Sequence, residues 1–292
     1  MTAANQELAD FLRRARGAVD PARSGLPADG RTRRVPGLRR EEVALLAGVS
    51  TDWYTRLEQG RRITPSDGVL DAVARALDLD AAGRAHLGHL VGAPGGRNRR
   101  AAPTLQRARP GLRRLMEALD GQPALLLGRR TDVLAGNRMA AALFTDFERL
   151  PARGRNYARW MFGSEGARAL FVDWDAQARA VVESLRLDVG TDPGDRAAAE
   201  LVDELSASSP EFRRWWAQHR VHQRTYGSKR LRHPVVGELT VDYETLTLPG
   251  DPGQALFLYS APAGTASREA LDLLASWSLT SRPGRAASAP GS

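Results

Sequence analysis

The amino-acid sequence predicts two domains of different class: an all-α N-terminal domain built around a helix-turn-helix, and a C-terminal α+β domain with an antiparallel sheet. Three observations predict this division. Residues 36–60, PGLRREEVALLAGVSTDWYTRLEQG, carry the spacing of a helix-turn-helix whose second helix enters a DNA major groove. Residues 93–103, APGGRNRRAAP, combine Gly, Pro and Arg without an apolar period, as a linker does. After the linker, strand-like runs stand at both ends of a helical stretch, the order of one antiparallel sheet covered by helices on one face. At 292 residues and 42% hydrophobic content the chain has material for two cores.

In chain order, Leu8, Phe11 and Leu12 mark a first amphipathic helix. Leu38, Val43, Leu46 and Ala47 then recur at helical spacing with Arg39, Arg40, Glu41 and Glu42 outside. Gly48 falls where a tight turn needs positive φ, and Ser50 is placed to cap the next helix. Tyr54 and Leu57 turn inward, leaving Thr51, Asp52, Thr55 and Arg56 outside on the two turns that meet base edges and phosphates. Trp53 stands near that outward face, suited to packing on the first helix, to a thymine methyl or to a partner surface. Gly60 ends the helix, and Arg61 and Arg62 follow. Val69, Leu70, Val73, Ala74 and Leu77 form a further helical stripe, and a last helix ends near Leu90.

Beyond the linker, Arg107 to Leu119 reads as a helix and PALLLGRRTDVLAGN as two short strands joined by a polar turn. Helices are expected over 138–147, 157–162, 166–187, 196–205 and 210–221. Alternation at Leu239, Val241 and Tyr243 and the apolar run 256–259 mark returning strands around the turn PGDPG. The boundaries so drawn are 1–92, linker 93–103, second domain 104–278 and a small, polar tail 279–292 expected to be disordered.

Composition agrees with a nucleic-acid partner. Residues 1–100 hold 17 Arg against 12 Asp plus Glu, so +5 of the formal +8 lies in front, a surface whose DNA affinity would fall steeply with salt. Of 42 basic residues all but Lys229 are Arg, a bias that runs uniformly along the chain and is given no functional weight. The absence of cysteine excludes disulfides, thiol catalysis and thiolate metal sites. No apolar run resembles a signal peptide or approaches a membrane span, so a cytoplasmic protein without a membrane partner is expected.

The stretch VPGLRREEVALLAGVSTDWYTRLEQGR resembles the xenobiotic-response-element type of helix-turn-helix, the lambda-repressor-like fold, in the form found in actinobacterial MmyB-like regulators. The resemblance implies that Thr51, Thr55 and Arg56 face DNA and that Glu58 ties the second helix to the first. The basic link DPARSGLPADGRTRRVPG is also similar, placing Arg31, Arg33 and Arg34 near a phosphate strand. The expected DNA-binding set is Arg33, Arg34, Arg39, Ser50, Thr51, Asp52, Trp53, Thr55, Arg56, Arg61 and Arg62. Five later blocks, GNRMAAALF, the Asn156 to Phe162 run, FVDWDAQARAVVESLR, ELSASSPEFRRWWAQHRV and HPVVGELTVDYETL, resemble in order the ligand-binding domain of the same regulators. That resemblance implies a PAS-like sensor for a small apolar molecule, with a fatty acid as the class.

The residues expected to bind the ligand are Asn137, Arg159, Trp160, Phe162, Trp174, Trp216, His233 and Tyr243. Aromatic walls suit an apolar ligand, though the same rings also serve as core, and Asn137 equally suits a helix N-cap. A carboxylate would want a cation, for which Arg138, Arg159, Arg220, Lys229 and His233 are open candidates. His219 and His222 form an H-x-x-H pair too common to specify a metal, and no nucleophile elbow, phosphate loop or dinucleotide fingerprint occurs. A non-enzymatic, cofactor-free regulator follows, acting as a homodimer on double-stranded DNA. The rival readings are a protein-interaction module, which an apolar exposed face on the second helix would favour, and an enzyme using the apolar pocket.

Overall fold

A computed structural model describes residues 3–24, 37–61, 63–92, 106–192, 194–251 and 253–280. The N-terminal helices are α1 (Ala3–Ala18), α2 (Arg40–Ala47), α3 (Thr51–Glu58), α4 (Asp67–Ala76) and α5 (Ala81–Val91). Then follow α6 (Pro110–Glu117), β1 (Ala124–Leu127), β2 (Val133–Gly136), α7 (Arg138–Leu143), α8 (Tyr157–Gly163), α9 (Glu165–Leu170) and α10 (Trp174–Thr191). The chain continues through α11 (Arg196–Ser208), α12 (Pro210–Trp216), β3 (Tyr226–His233), β4 (Gly237–Thr247), β5 (Ala255–Ser260) and α13 (Ala266–Thr280).

Packing divides the chain into two units, Met1–Thr104 with Val182–Gln223, and Leu105–Val181 with Arg224–Ser292. Residues 182–223, which the sequence boundaries place in the second domain, therefore pack with the N-terminal helices.

In the first unit Leu8, Phe11, Leu12, Leu38, Val43, Tyr54, Leu57, Val73 and Leu87 form one core. The turn between α2 and α3 is made by Gly48 at φ 67°, a conformation that a Cβ resists. Gly60, also at φ 67°, lets the chain pass the Asn5 carbonyl, where a Cβ would stand 2.1 Å from the oxygen. Leu46, expected inside, is 37% exposed, and Leu45 is 70% exposed. The short α2 instead buries Val43, Ala44 and Ala47, because small side chains let the neighbouring helices approach its inner face.

In the second unit the strands form one antiparallel sheet in the order β2-β1-β5-β4-β3. Residues directly opposite in such a sheet share a face. The pairs Lys229–Val241, Leu231–Leu239, Tyr243–Tyr259 and Thr245–Phe257 therefore lie together on one face. The opposite face is covered too at the β1 end, where Leu112 and Met116 of α6 pack on Ala124, Leu126, Ala135 and Leu256. The expected single covered face is corrected accordingly.

Three departures from the expected elements have visible causes. The helix expected over 166–187 breaks between α9 and α10, because Phe171 bridges to Leu231 and the Val172 N–H donates to the Arg230 carbonyl at 3.0 Å. Strand β3 hides from a hydrophobicity reading because its inward positions include Lys229 and His233. Helix α13, unread in the sequence, buries Ala270, Leu271 and Leu274.

Candidate functional site

Helix α3 begins where the Ser50 hydroxyl accepts from the Trp53 N–H at 3.2 Å. Tyr54, Leu57 and Glu58 are buried, whereas Ser50, Thr51, Asp52 and Arg56 are exposed and Thr55 is half-buried. Trp53 is half-buried and packs on the core of the first unit. Arg61 is exposed. Arg39 is half-buried: its N–H donates to Glu42 at 2.6 Å and its guanidinium lies 3.8 Å from Glu41. Arg33, Arg34 and Arg62 lie outside the described residues.

Glu58 fixes the orientation of α3. Its fully buried side chain accepts from Arg16 of α1 at 2.7 Å and from Arg40 of α2 at 2.8 Å. Burial works to raise this carboxyl, but the Arg16 and then the Arg40 bonds outweigh it and hold it below the ordinary carboxylate range.

A second buried pair in the same unit joins α1 to α10. Arg186, 2% exposed, donates to Glu7 and to the Trp216 carbonyl, and its guanidinium lies 3.9 Å above the Trp216 ring. Burial would raise Glu7, but the His219 bond and the Arg186 charge hold it down to about 2. His219 is thus engaged with Glu7 and Arg186. Among the described residues no three His, Cys, Asp or Glu side chains form a metal-binding group. Trp216 stacks on Phe212 at 5.6 Å in this unit, whereas the other residues expected to bind ligand belong to the sheet unit.

In the sheet unit Trp160 is ringed by Tyr157, Phe147, Phe171 and Phe144 at centroid distances of 5.4, 5.6, 6.0 and 6.1 Å. Phe144 meets Tyr259 at 5.0 Å, and Tyr243 lies 6.1 Å from both Tyr259 and Phe257. The helix rings thereby close on the sheet face that carries Lys229. Phe162 packs edge-on to Trp174 at 5.7 Å, and the Trp174 indole donates to the Met161 carbonyl.

The expected polar contacts have local partners. The Asn137 Oδ1 accepts from Ala124 and Ala140, and its amide donates toward the carbonyls of Met116, Leu119 and Gln122, so it caps α7 and locks the start of the sheet. One His233 ring nitrogen lies 3.0 Å from the Ala142 carbonyl and the other accepts from the Val235 N–H, which fixes a neutral ring. Half-buried Arg159 donates to the Arg153 carbonyl at 3.3 Å.

Two cations on the aromatic side stand apart. Arg224, 6% exposed, lies 5.0 Å from the Phe257 ring and 5.6 Å from the Tyr157 ring, and its Nε has no hydrogen-bond partner. Lys229, 3% exposed, donates to the neutral Gln177 and lies 4.7 Å from the Tyr243 ring. Burial, with the nearby Arg224 charge, pulls Lys229 down to about 7. Tyr157, whose buried hydroxyl is unpartnered, is pushed up to about 12 by burial.

With this geometry in place, two family matches become interpretable. A model described as helix-turn-helix domain matches residues 7–87. A model described as MmyB-like transcription regulator ligand binding domain matches residues 108–274, more than half of the chain. The chain belongs to the MmyB-like transcription regulator family. No curated protein matches it. The helix-turn-helix and ligand-binding domains together make this MmyB-like regulator a ligand-responsive transcription regulator.

The regulator also has a groove of about 400 Å³ against α6, β2 and α7, lined by Arg113, Glu117, Asp120, Asn137, Arg138 and Glu148 among others. Its charges are largely paired within the protein: Arg113 with Glu148 at 3.0 Å and Arg138 with Asp120 at 3.9 Å. Sequence reasoning missed Arg224 altogether. The one signal available was an Arg shortly before the strand YGSKRLRH, which only packing against the Tyr157 and Phe257 rings shows to be buried. No helix of the described residues is long and apolar enough to cross a membrane.

Proposed function

We propose that the first unit reads double-stranded DNA through α3, as a homodimer on an inverted repeat, and that the second unit, PAS-like in outline, senses a fatty acid that alters DNA affinity. The observation that carries the DNA reading is the division of α3: Tyr54, Leu57 and Glu58 are locked inward while Thr51, Asp52 and Arg56 stand free on its first two turns. One such helix reaches only a few base pairs, which supports a two-fold arrangement. The fatty-acid reading is supported by the rings gathered on one sheet face, with helices covering that face between strands from both ends of the domain. No catalytic role is assigned to any residue.

The test is to incubate the purified protein with fragments of its own genome at moderate salt and sequence the bound fraction. Enrichment of a few promoters sharing an inverted repeat is expected, and uniform recovery would overturn the DNA reading. Arg56→Ala is expected to weaken operator binding by about 1–3 kcal/mol with unchanged helix content by circular dichroism. A second reading, a protein partner, draws on the adjacent exposed Leu45 and Leu46 of α2. Leu45→Glu separates the two, because a DNA reader tolerates it and a protein-binding module does not.

A further inference from the structure

Helix α1 is held from two sides. Glu7 and Arg16 are about two and a half helical turns apart, so their side chains leave opposite faces of the helix. Arg16 is bonded to Glu58 of α3, and the Asn5 carbonyl lies against Gly60 just past the end of α3. Glu7 is bonded instead to Arg186 of α10 and lies 3.4 Å from the His219 ring. One turn on from Glu7, Phe11 meets His86 of α5 edge-on at 4.9 Å. His86 in turn presses on α10, where a Cβ at Gly190 would overlap its ring. Val221 packs on the same core.

Both sides of this joint are closely fitted. Arg186 is fixed by the Glu7 carboxylate, the Trp216 carbonyl and the Trp216 ring face. His86 is fully buried with neither ring nitrogen hydrogen-bonded among the described residues, so its place is set by shape alone. A helix gripped in this way on opposite faces passes a shift at one grip on to the other, because a close-packed interior transmits strain. Residues 182–223, which supply Arg186, Gly190, Trp216 and His219, lie inside the ligand-binding match at 108–274 and yet pack with the helices that carry α3.

We infer that Glu7 and Arg186 are positioning residues for DNA reading: by fixing α1 against α10 they set, through Arg16 and Glu58, the angle at which Thr51, Asp52 and Arg56 meet the bases. The inference rests on the reading of α3 as the helix that enters DNA, and it adds that a segment of the ligand-binding domain aims that helix. Base contacts depend on this angle, whereas attraction to phosphates does not.

The test measures, on the full-length protein, affinity for the inverted-repeat operator recovered from its genome and for a scrambled fragment of the same length. Native protein is compared with Glu7→Gln, Arg186→Met and Gly190→Ala. Both fragments carry the same phosphates and draw on the same folded fraction, so changes of net charge or of stability cancel in the ratio of the two affinities. The ratio is expected to fall by about tenfold in Glu7→Gln and in Arg186→Met, and by about threefold in Gly190→Ala. A native ratio in either charge variant overturns the positioning role and leaves the DNA reading standing. A ratio near one in the native protein overturns the DNA reading, and the positioning role with it. Where a charge variant does not fold, Gly190→Ala decides: a lowered ratio supports the joint and an unchanged one overturns it.

Discussion

The two units treat buried charge in opposite ways. In the first, Glu58 sits between Arg16 and Arg40, and Arg186 sits against Glu7, so each buried charge has its opposite within 4 Å. In the second, Arg224 and Lys229 lie buried against rings and a neutral amide. The first arrangement is self-sufficient: the pairs join α1 to α2 and α3, and α1 to α10, and set the attitude of the helix that carries Thr51 and Arg56. In the second, no carboxylate meets either cation among the described residues.

Removing charge should therefore have opposite consequences in the two units. The largest effect is expected from Glu58→Ala, which strands Arg16 and Arg40; a loss of about 3–4 kcal/mol should be seen in denaturant melts, with faster amide exchange along α3. A change below 1 kcal/mol would mean that the pair does not orient α3.

A smaller effect is expected from acid. Burial pulls His86 from 6.5 to about 4, so the folded ring stays neutral while the unfolded ring takes up a proton below about 6.5. Stability is therefore lost as pH falls from 6.5 towards 4, on the order of 2–3 kcal/mol. Glu7, held near 2, adds to the loss as pH falls below its ordinary 4.5. Urea melts at pH 7 and pH 4.5 should show the slope, and His86→Leu should flatten the part above pH 4.5.

The third effect belongs to the second unit, where removing the charge stabilises the protein instead of destabilising it. Lys229 falls from 10.5 to about 7 in the folded protein, so the unfolded chain binds the extra proton between those values and stability rises with pH there. Across pH 7.5 to 9, Tyr157, Tyr243 and Tyr259, all raised by burial, stay neutral. Lys229→Met should gain about 1 kcal/mol at pH 7 and abolish the alkaline rise. A destabilised variant would show that the ammonium has a counter-charge after all, and the contrast between the units would fail.

The helix-turn-helix was legible because its information is local. Ser50, Gly48, Gly60, Tyr54 and Leu57 act within one or two helical turns of their neighbours, so spacing alone predicts their roles, and the resemblance supplied that of Glu58. The ligand side was legible only as composition. Trp160 and Tyr243 could be named as aromatic, but their meeting on one sheet face depends on a register joining residues far apart in the chain. Asn137 and His233 looked like ligand contacts because an isolated polar residue gives no sign of its partners; the structure gives them the carbonyls and N–H groups of α6, α7 and the strands.

The sequence by itself determined that a helix-turn-helix precedes an α+β domain, and which side chains of α3 point outward, because helix periodicity and capping are short-range. Only the tertiary structure decided that residues 182–223 pack with the N-terminal helices, and that Arg224 and the chain's one lysine, Lys229, turn inward. Burial of a charge is a property of everything folded around it: strand pairing turns Lys229 inward, and the packing of the chain just before β3 against the Tyr157 and Phe257 rings buries Arg224.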